Sequence, residues 1–130
     1  MPIKKDKENG NKYVDVAVVG GGLAGLSLAC LIGQAGLKVA IIDKADPSTP
    51  MTGDERTTAI SYGSSRVLAQ AGIWDKLESL GNPIRDIKIL DGDSPVLLRF
   101  LSEEVEDKEF GTILLNSDIR KILNKKISNL

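Results

Sequence analysis

A chain of 130 residues is long enough for one modest domain with a real core, but short for an enzyme that must enclose both a large cofactor and a substrate. Its 17 Lys+Arg and 18 Asp+Glu leave a net charge of -1, so no bulk electrostatic attraction calls for nucleic acid or an anionic membrane. One cysteine, Cys30, and no histidine exclude an internal disulfide, a structural zinc site and a histidine-based triad within the chain. They also suit a reducing, cytoplasmic setting.

The opening "MPIKKDKENGNK" is charged and lacks the apolar core of a signal peptide, so residues 1–12 are expected to be a disordered, solvated leader. No apolar run approaches the roughly 20 residues of a membrane span. Tyr13 to Val19 is a Val-rich run interrupted only by Asp15, the pattern of a buried parallel strand. Three consecutive glycines end it. From Leu23 to Gln34, Leu26, Ala29, Cys30 and Gly33 recur at helical spacing, and Gly36 stands where a left-handed C-terminal cap belongs. Leu37 to Ile42 supplies a second Val/Ile-rich strand, completing a βαβ unit within about 30 residues.

Beyond it, "DPSTPMTGDE" (Asp46 to Glu55) reads as a loop. Ser61 or Ser64 is placed to cap a helix that passes Leu68 and Gln70 and breaks at Gly72, with Ile73 to Leu80 as a second short helix. Pro83 to Leu90 and Val96 to Phe100 read as strands of a small hairpin around "DGDS". The acidic "SEEVEDKE" is expected on the surface. Thr112 to Leu115 reads as a strand, and Asn116 or Ser117 as the cap of a helix with Ile119, Ile122, Leu123 and Ile127 on one face.

The glycines pose the chemical question, because each ordered glycine costs roughly 0.5–1 kcal/mol relative to alanine. Gly20, Gly22 and Gly25 form G-x-G-x-x-G between strand and helix. In a dinucleotide fold the first glycine makes the tight turn, the second admits a pyrophosphate to the backbone, and the third lets helix and strand pack closely. The free N–H groups at the helix start, those of Leu23 and Ala24 among them, favour an anion. A glycine-rich turn with no ligand is the bland alternative. Against it stands Asp43, ending the second strand near the roughly 20-residue offset of an acid that accepts hydrogen bonds from ribose hydroxyls. A carboxylate there also repels a 2′-phosphate. Spacing alone leaves FAD and NAD open, since both present an ADP half to such a turn.

The longer pattern, "DVAVVG" running into Gly20, Gly22 and Gly25 with Ala29 and Gly36, resembles the FAD-binding segment of flavoprotein monooxygenases related to para-hydroxybenzoate hydroxylase. Two further stretches, "DERTTAIS" (Asp54 to Ser61) and "NSDIRKIL" (Asn116 to Leu123), are similar to counterparts in the ubiquinone-biosynthesis hydroxylases of polyprenyl phenols. The resemblance runs from Tyr13 to the C-terminus. It implies a Rossmann-like α/β FAD-binding domain, truncated, with a small β-hairpin insertion, over residues 13–130. It also implies a cofactor-binding set of Gly20, Gly22, Leu23, Ala24, Gly25, Asp43, Lys44, Arg56 and Arg120, with Arg56 in the loop that approaches FAD and Arg120 reaching the cofactor from the last helix. Solvated arginines are the alternative for both. Cys30 and Trp74 read as packing residues.

In that family reduced flavin and oxygen hydroxylate an electron-rich phenol, with NADH or NADPH as reductant. Family members are much longer and carry further FAD-contacting segments and a substrate-covering sheet. The 130 residues alone are therefore expected to bind FAD weakly and to hydroxylate nothing, with catalytic residues unassigned and a second chain as one source of the missing parts. The expected partners are a polyprenyl-phenol substrate and, through other proteins, a membrane surface. Two rivals stay open: a non-catalytic or vestigial nucleotide-binding fragment, and an NAD-binding dehydrogenase domain.

Overall fold

The structure, a computed structural model, describes residues 13–46, 54–95, 97–104 and 108–130. The expected leader, most of the loop from Asp46 to Glu55, and the middle of the acidic connection lie outside the described residues.

Strand β1 (Val16–Val19), helix α1 (Leu23–Gln34) and strand β2 (Val39–Ile42) form the expected unit, with β1 and β2 parallel and Val16 opposite Val39. Both strands are shorter than their apolar runs. Tyr13 and Val14 are exposed, and the Asp15 carboxylate accepts the Lys38 N–H at 2.7 Å, so polar pairing fixes where the ladder begins. Helix α1 buries Leu26, Ala29 and Cys30 on one face. It ends as expected at Ala35, followed by Gly36 with φ +84°.

After the loop comes a strand that sequence patterning missed, β3 (Thr57–Ser61). It runs into helix α2 (Tyr62–Gln70), where Ser61, rather than Ser64, is the cap and its hydroxyl accepts the Ser64 N–H at 3.2 Å. Helix α3 is only Trp74–Leu77, and a 3₁₀ turn replaces the remainder of the expected helix through Leu80. The expected strand from Pro83 to Leu90 is in fact two: β4 (Asn82–Ile84) and β5 (Asp86–Leu90), in different sheets. Strand β5 pairs with β6 (Leu97–Leu101) as the expected hairpin. Strand β7 (Gly111–Leu115) then runs antiparallel between β3 and β4, and helix α4 (Asn116–Ile127) follows directly.

The core lies where α1, α2, α3 and α4 meet β7: Leu26, Cys30, Leu68, Ala71, Ile73, Leu77, Leu114, Ile119 and Leu123 are all buried. Burying Ile119 and Leu123 contributes about 1.5–3 kcal/mol each, which seats α4 firmly against α1. Cys30 belongs wholly to this packing, with its thiol 4.0 Å from the Leu123 carbonyl and its ionisation pushed up by burial. Trp74 packs against the rim of the same core.

The cap of α4 also differs from expectation. The N-cap is Leu115, and Asn116 is the first helical residue. The Asn116 side chain accepts the Thr58 hydroxyl at 2.5 Å, while its N–H donates to the Arg56 carbonyl at 3.0 Å. Partners on β3 and just before it thus occupy the residue that spacing assigned to a local cap.

Candidate functional site: the glycine turn

The turn from β1 to α1 is built by close approach. Gly20 has φ +105°, a conformation that side chains disfavour. Gly25 sits so close beneath it that a β-carbon would lie 2.0 Å from the Gly20 carbonyl oxygen, which is how helix and strand achieve their contact. Gly22 differs from both: its φ is -72°, and a β-carbon there would meet nothing within 4 Å. The space above Gly22 is open, and α1 begins there with no side-chain cap and no acidic residue in its first turn. The N–H groups of Leu23 and Ala24, at the start of the helix, therefore stand at the positive end of the helix dipole with no acid of the helix's own first turn to satisfy them.

Asp43 closes one side. It follows β2, and its carboxylate accepts the Gly21 N–H at 2.5 Å and the Ala45 N–H at 2.7 Å. Those two hydrogen bonds, Ala45 first, hold its carboxyl below the usual range, and the charges of Arg120 and Lys44 add to the effect. Each carboxylate oxygen keeps a further lone pair for an incoming hydroxyl. Lys44 lies exposed beside Asp43.

Arg120 closes the other side. From α4 its Nη1 donates to the Gly21 carbonyl at 2.7 Å, across a separation of 99 residues. Arg56, in contrast, is not brought to the turn. Its guanidinium is forked onto Asp54, at 2.7 Å and 3.0 Å, and is largely exposed. Asp54 lies two residues earlier and captures that fork, and its carboxyl is lowered chiefly by this bond. Sequence reasoning passed over Gly21 and Asp54. A third consecutive glycine was the available signal for the first, since a β-carbon on Gly21 would press to 3.2 Å from Asp43. Asp54 carried no such signal.

A strand, a glycine turn with open backbone, a helix N-terminus and an acid after the next strand have the chemistry to receive a dinucleotide's diphosphate and ribose. Residues 13–125 match the FAD binding domain family. The chain belongs to that family. FAD is accordingly the cofactor, the choice that the turn's spacing left open. Among curated relatives, the chain is 34% identical over 122 residues to the ubiquinone hydroxylase UbiL of Rhodospirillum rubrum, covering 92% of this chain and 28% of that protein. It is 29% identical over 129 residues to the mitochondrial ubiquinone biosynthesis monooxygenase COQ6 of Danio rerio, covering 92% of this chain and 26% of that protein. The chain thus spans little more than a quarter of the length of these relatives. A solved structure of Pseudomonas aeruginosa PqsL, a mutant form, superposes with TM-score 0.72 at 23% identity, covering 89% of this chain and 31% of that one, so the fold is shared.

Proposed function

We infer that this FAD-binding domain serves a hydroxylase of polyprenyl phenols in ubiquinone biosynthesis, and that its part is to hold the adenosine half of the cofactor. The observation that carries the reading is the open backbone above Gly22, flanked by the Asp43 carboxylate and the uncapped start of α1. There the N–H groups of Gly22, Leu23 and Ala24 take the diphosphate, and Gly20 and Gly25 make that approach possible. Asp43 accepts the adenosine ribose hydroxyls with its remaining lone pairs, and Lys44 adds positive charge beside it. Arg120 approaches from α4, whereas Arg56 stays forked onto Asp54 and does not hold the ligand-free turn. FAD, when bound, supplies the redox and oxygen chemistry, while the protein binds, orients and excludes water.

The relatives' names support the substrate class, and NADH or NADPH is the reductant that fits such a flavoprotein. The flavin ring and the phenol need groups beyond those at this turn, supplied by further polypeptide of the working protein or by a second chain. No helix among the described residues is long and apolar enough to cross a membrane. An encounter with a membrane-held polyprenyl phenol would then occur at the membrane surface, from the cytoplasmic side, through partners.

Calorimetric titration with FAD and with ADP tests this reading. Both are expected to bind one site and to compete, because both present the same diphosphate and ribose. Binding of FAD that ADP fails to displace would overturn it.

A further inference from the structure

The glycine turn has an internal weakness. Three consecutive glycines give it great backbone freedom, so a cradle made of them must be held from outside to keep its N–H groups aimed at a ligand. Two side chains do this, and they act on opposite ends of one residue. The Gly21 N–H donates to Asp43, and the Gly21 carbonyl accepts from Arg120. A trans peptide is planar, with its C=O and N–H pointing in opposite directions. Holding the Gly21 oxygen toward α4 therefore points the Gly22 N–H away from α4, from the opposite edge of the same peptide unit.

Arg120 is itself well anchored. The buried neighbours Ile119 and Leu123 fix its turn of α4 in the core, and the Asn116 bonds to Arg56 and Thr58 fix the helix start. Its charge acts on Asp43 and also on Asp54, which is already forked to Arg56. One of its nitrogens bonds the turn, while its charge favours the ionised form of both carboxylates.

We propose that Arg120 is a positioning residue, which presets the diphosphate cradle by holding the Gly21 carbonyl before any ligand arrives. The proposal rests on the FAD-binding reading above and adds to it a role exerted through the backbone of Gly21. It separates Arg120 from a residue that only meets the ligand's phosphates as a counter-charge, because a residue of that kind leaves the ligand-free turn as it was.

The test compares the wild-type chain with Arg120→Met, which keeps the apolar stem, and with Arg120→Lys, which keeps a donor and a charge. The first readout is the amide ¹H–¹⁵N spectrum and hydrogen exchange of the ligand-free protein. In Arg120→Met the Gly21 and Gly22 signals are expected to shift or broaden and their exchange to quicken, with core amides such as that of Leu123 unchanged; Arg120→Lys restores much of the wild-type pattern. The second readout is ADP affinity, expected to fall about tenfold in Arg120→Met, a loss of about 1.4 kcal/mol, and to recover in part in Arg120→Lys. Unmoved Gly21 and Gly22 signals in ligand-free Arg120→Met would overturn the proposal, whatever happens to affinity. Should Arg120→Met not fold, Arg120→Ala takes its place under the same criterion: shifted or broadened Gly21 and Gly22 signals in the folded, ligand-free protein support the role, and unmoved signals refute it. Failure of the wild type to bind ADP would count against the FAD-binding reading and leave the ligand-free spectra to judge Arg120.

Discussion

Among the described residues there are two two-stranded sheets, and they are held in opposite ways. Strands β1 and β2 are parallel, so their pairing requires the crossover helix α1, and α1 in turn is held by α4 through buried side chains. Strands β5 and β6 are antiparallel neighbours in sequence. Their ladder needs only a turn, and it is reinforced by the Arg99 fork on Asp86, at 2.7–3.1 Å. Every residue of β5 is exposed, and Ile87, Ile89, Leu98 and Phe100 share one face by register. The parallel pair ends at the same side as the glycine turn, where backbone N–H groups collect and distant side chains arrive. The hairpin gathers nothing of the kind. Long-range crossover brings chemistry to one point, whereas a local ladder merely stands.

Breaking the parallel unit should therefore have the largest effect. Gly25→Ala places a β-carbon against the Gly20 carbonyl, and overpacking against backbone costs about 1–3 kcal/mol or more. A clear fall in the denaturant midpoint is expected, together with loss of ADP binding; an unchanged midpoint would mean that the close approach of α1 to β1 is not needed.

Asp43→Ala removes a carboxylate while leaving the strands. FAD binding is expected to weaken by about tenfold or more, since charge-assisted hydrogen bonds are among the stronger ones, while riboflavin 5′-phosphate, which has no adenosine, is hardly affected. Equal losses for the two ligands would assign Asp43 to stability alone. The same carboxylate sets a pH dependence. Its folded-state ionisation is lowered, chiefly by the Ala45 N–H and next by the Gly21 N–H, so its contribution is complete above the ordinary carboxylate range. That contribution is lost as the pH falls through the lowered value. The difference in stability between wild type and Asp43→Asn should thus be level from pH 7 to about pH 5 and shrink below pH 4. A difference that grows in acid would contradict the assignment.

Asp86→Asn should have the smallest effect. It removes an exposed ion pair from the hairpin, and such pairs contribute little. ADP affinity should be unaltered and the unfolding midpoint nearly so; a loss of ADP binding would show the two sheets to be coupled.

Most of the parallel unit was legible in the sequence because its signals are local. Alternating apolar and small residues mark α1, Val and Ile mark both strands, and the glycine spacing marks the turn. The hairpin was legible for the same reason, its turn residues lying beside its strands. Strand β3 was not, and neither was the break that separates β4 from β5, because β3 and β4 are defined by pairing with β7, many residues away, and "TTAIS" and "NPI" carry little pattern of their own. Arg120 could be singled out as a residue, but its bond to Gly21 depends on how α4 docks on α1. The Asp54 fork that draws Arg56 away from the turn is a matter of side-chain geometry with no periodicity to announce it.

The central claim is that the open backbone above Gly22 is where the diphosphate of FAD lies, and one substitution tests it most directly. Gly22 has an ordinary φ and empty space where a side chain would go, so Gly22→Val should fold as the wild type does. Calorimetric titration of both proteins with FAD, alongside far-ultraviolet circular dichroism, is the decisive measurement. The account predicts matching dichroism and no measurable FAD binding by Gly22→Val. Wild-type affinity in a folded Gly22→Val would contradict it.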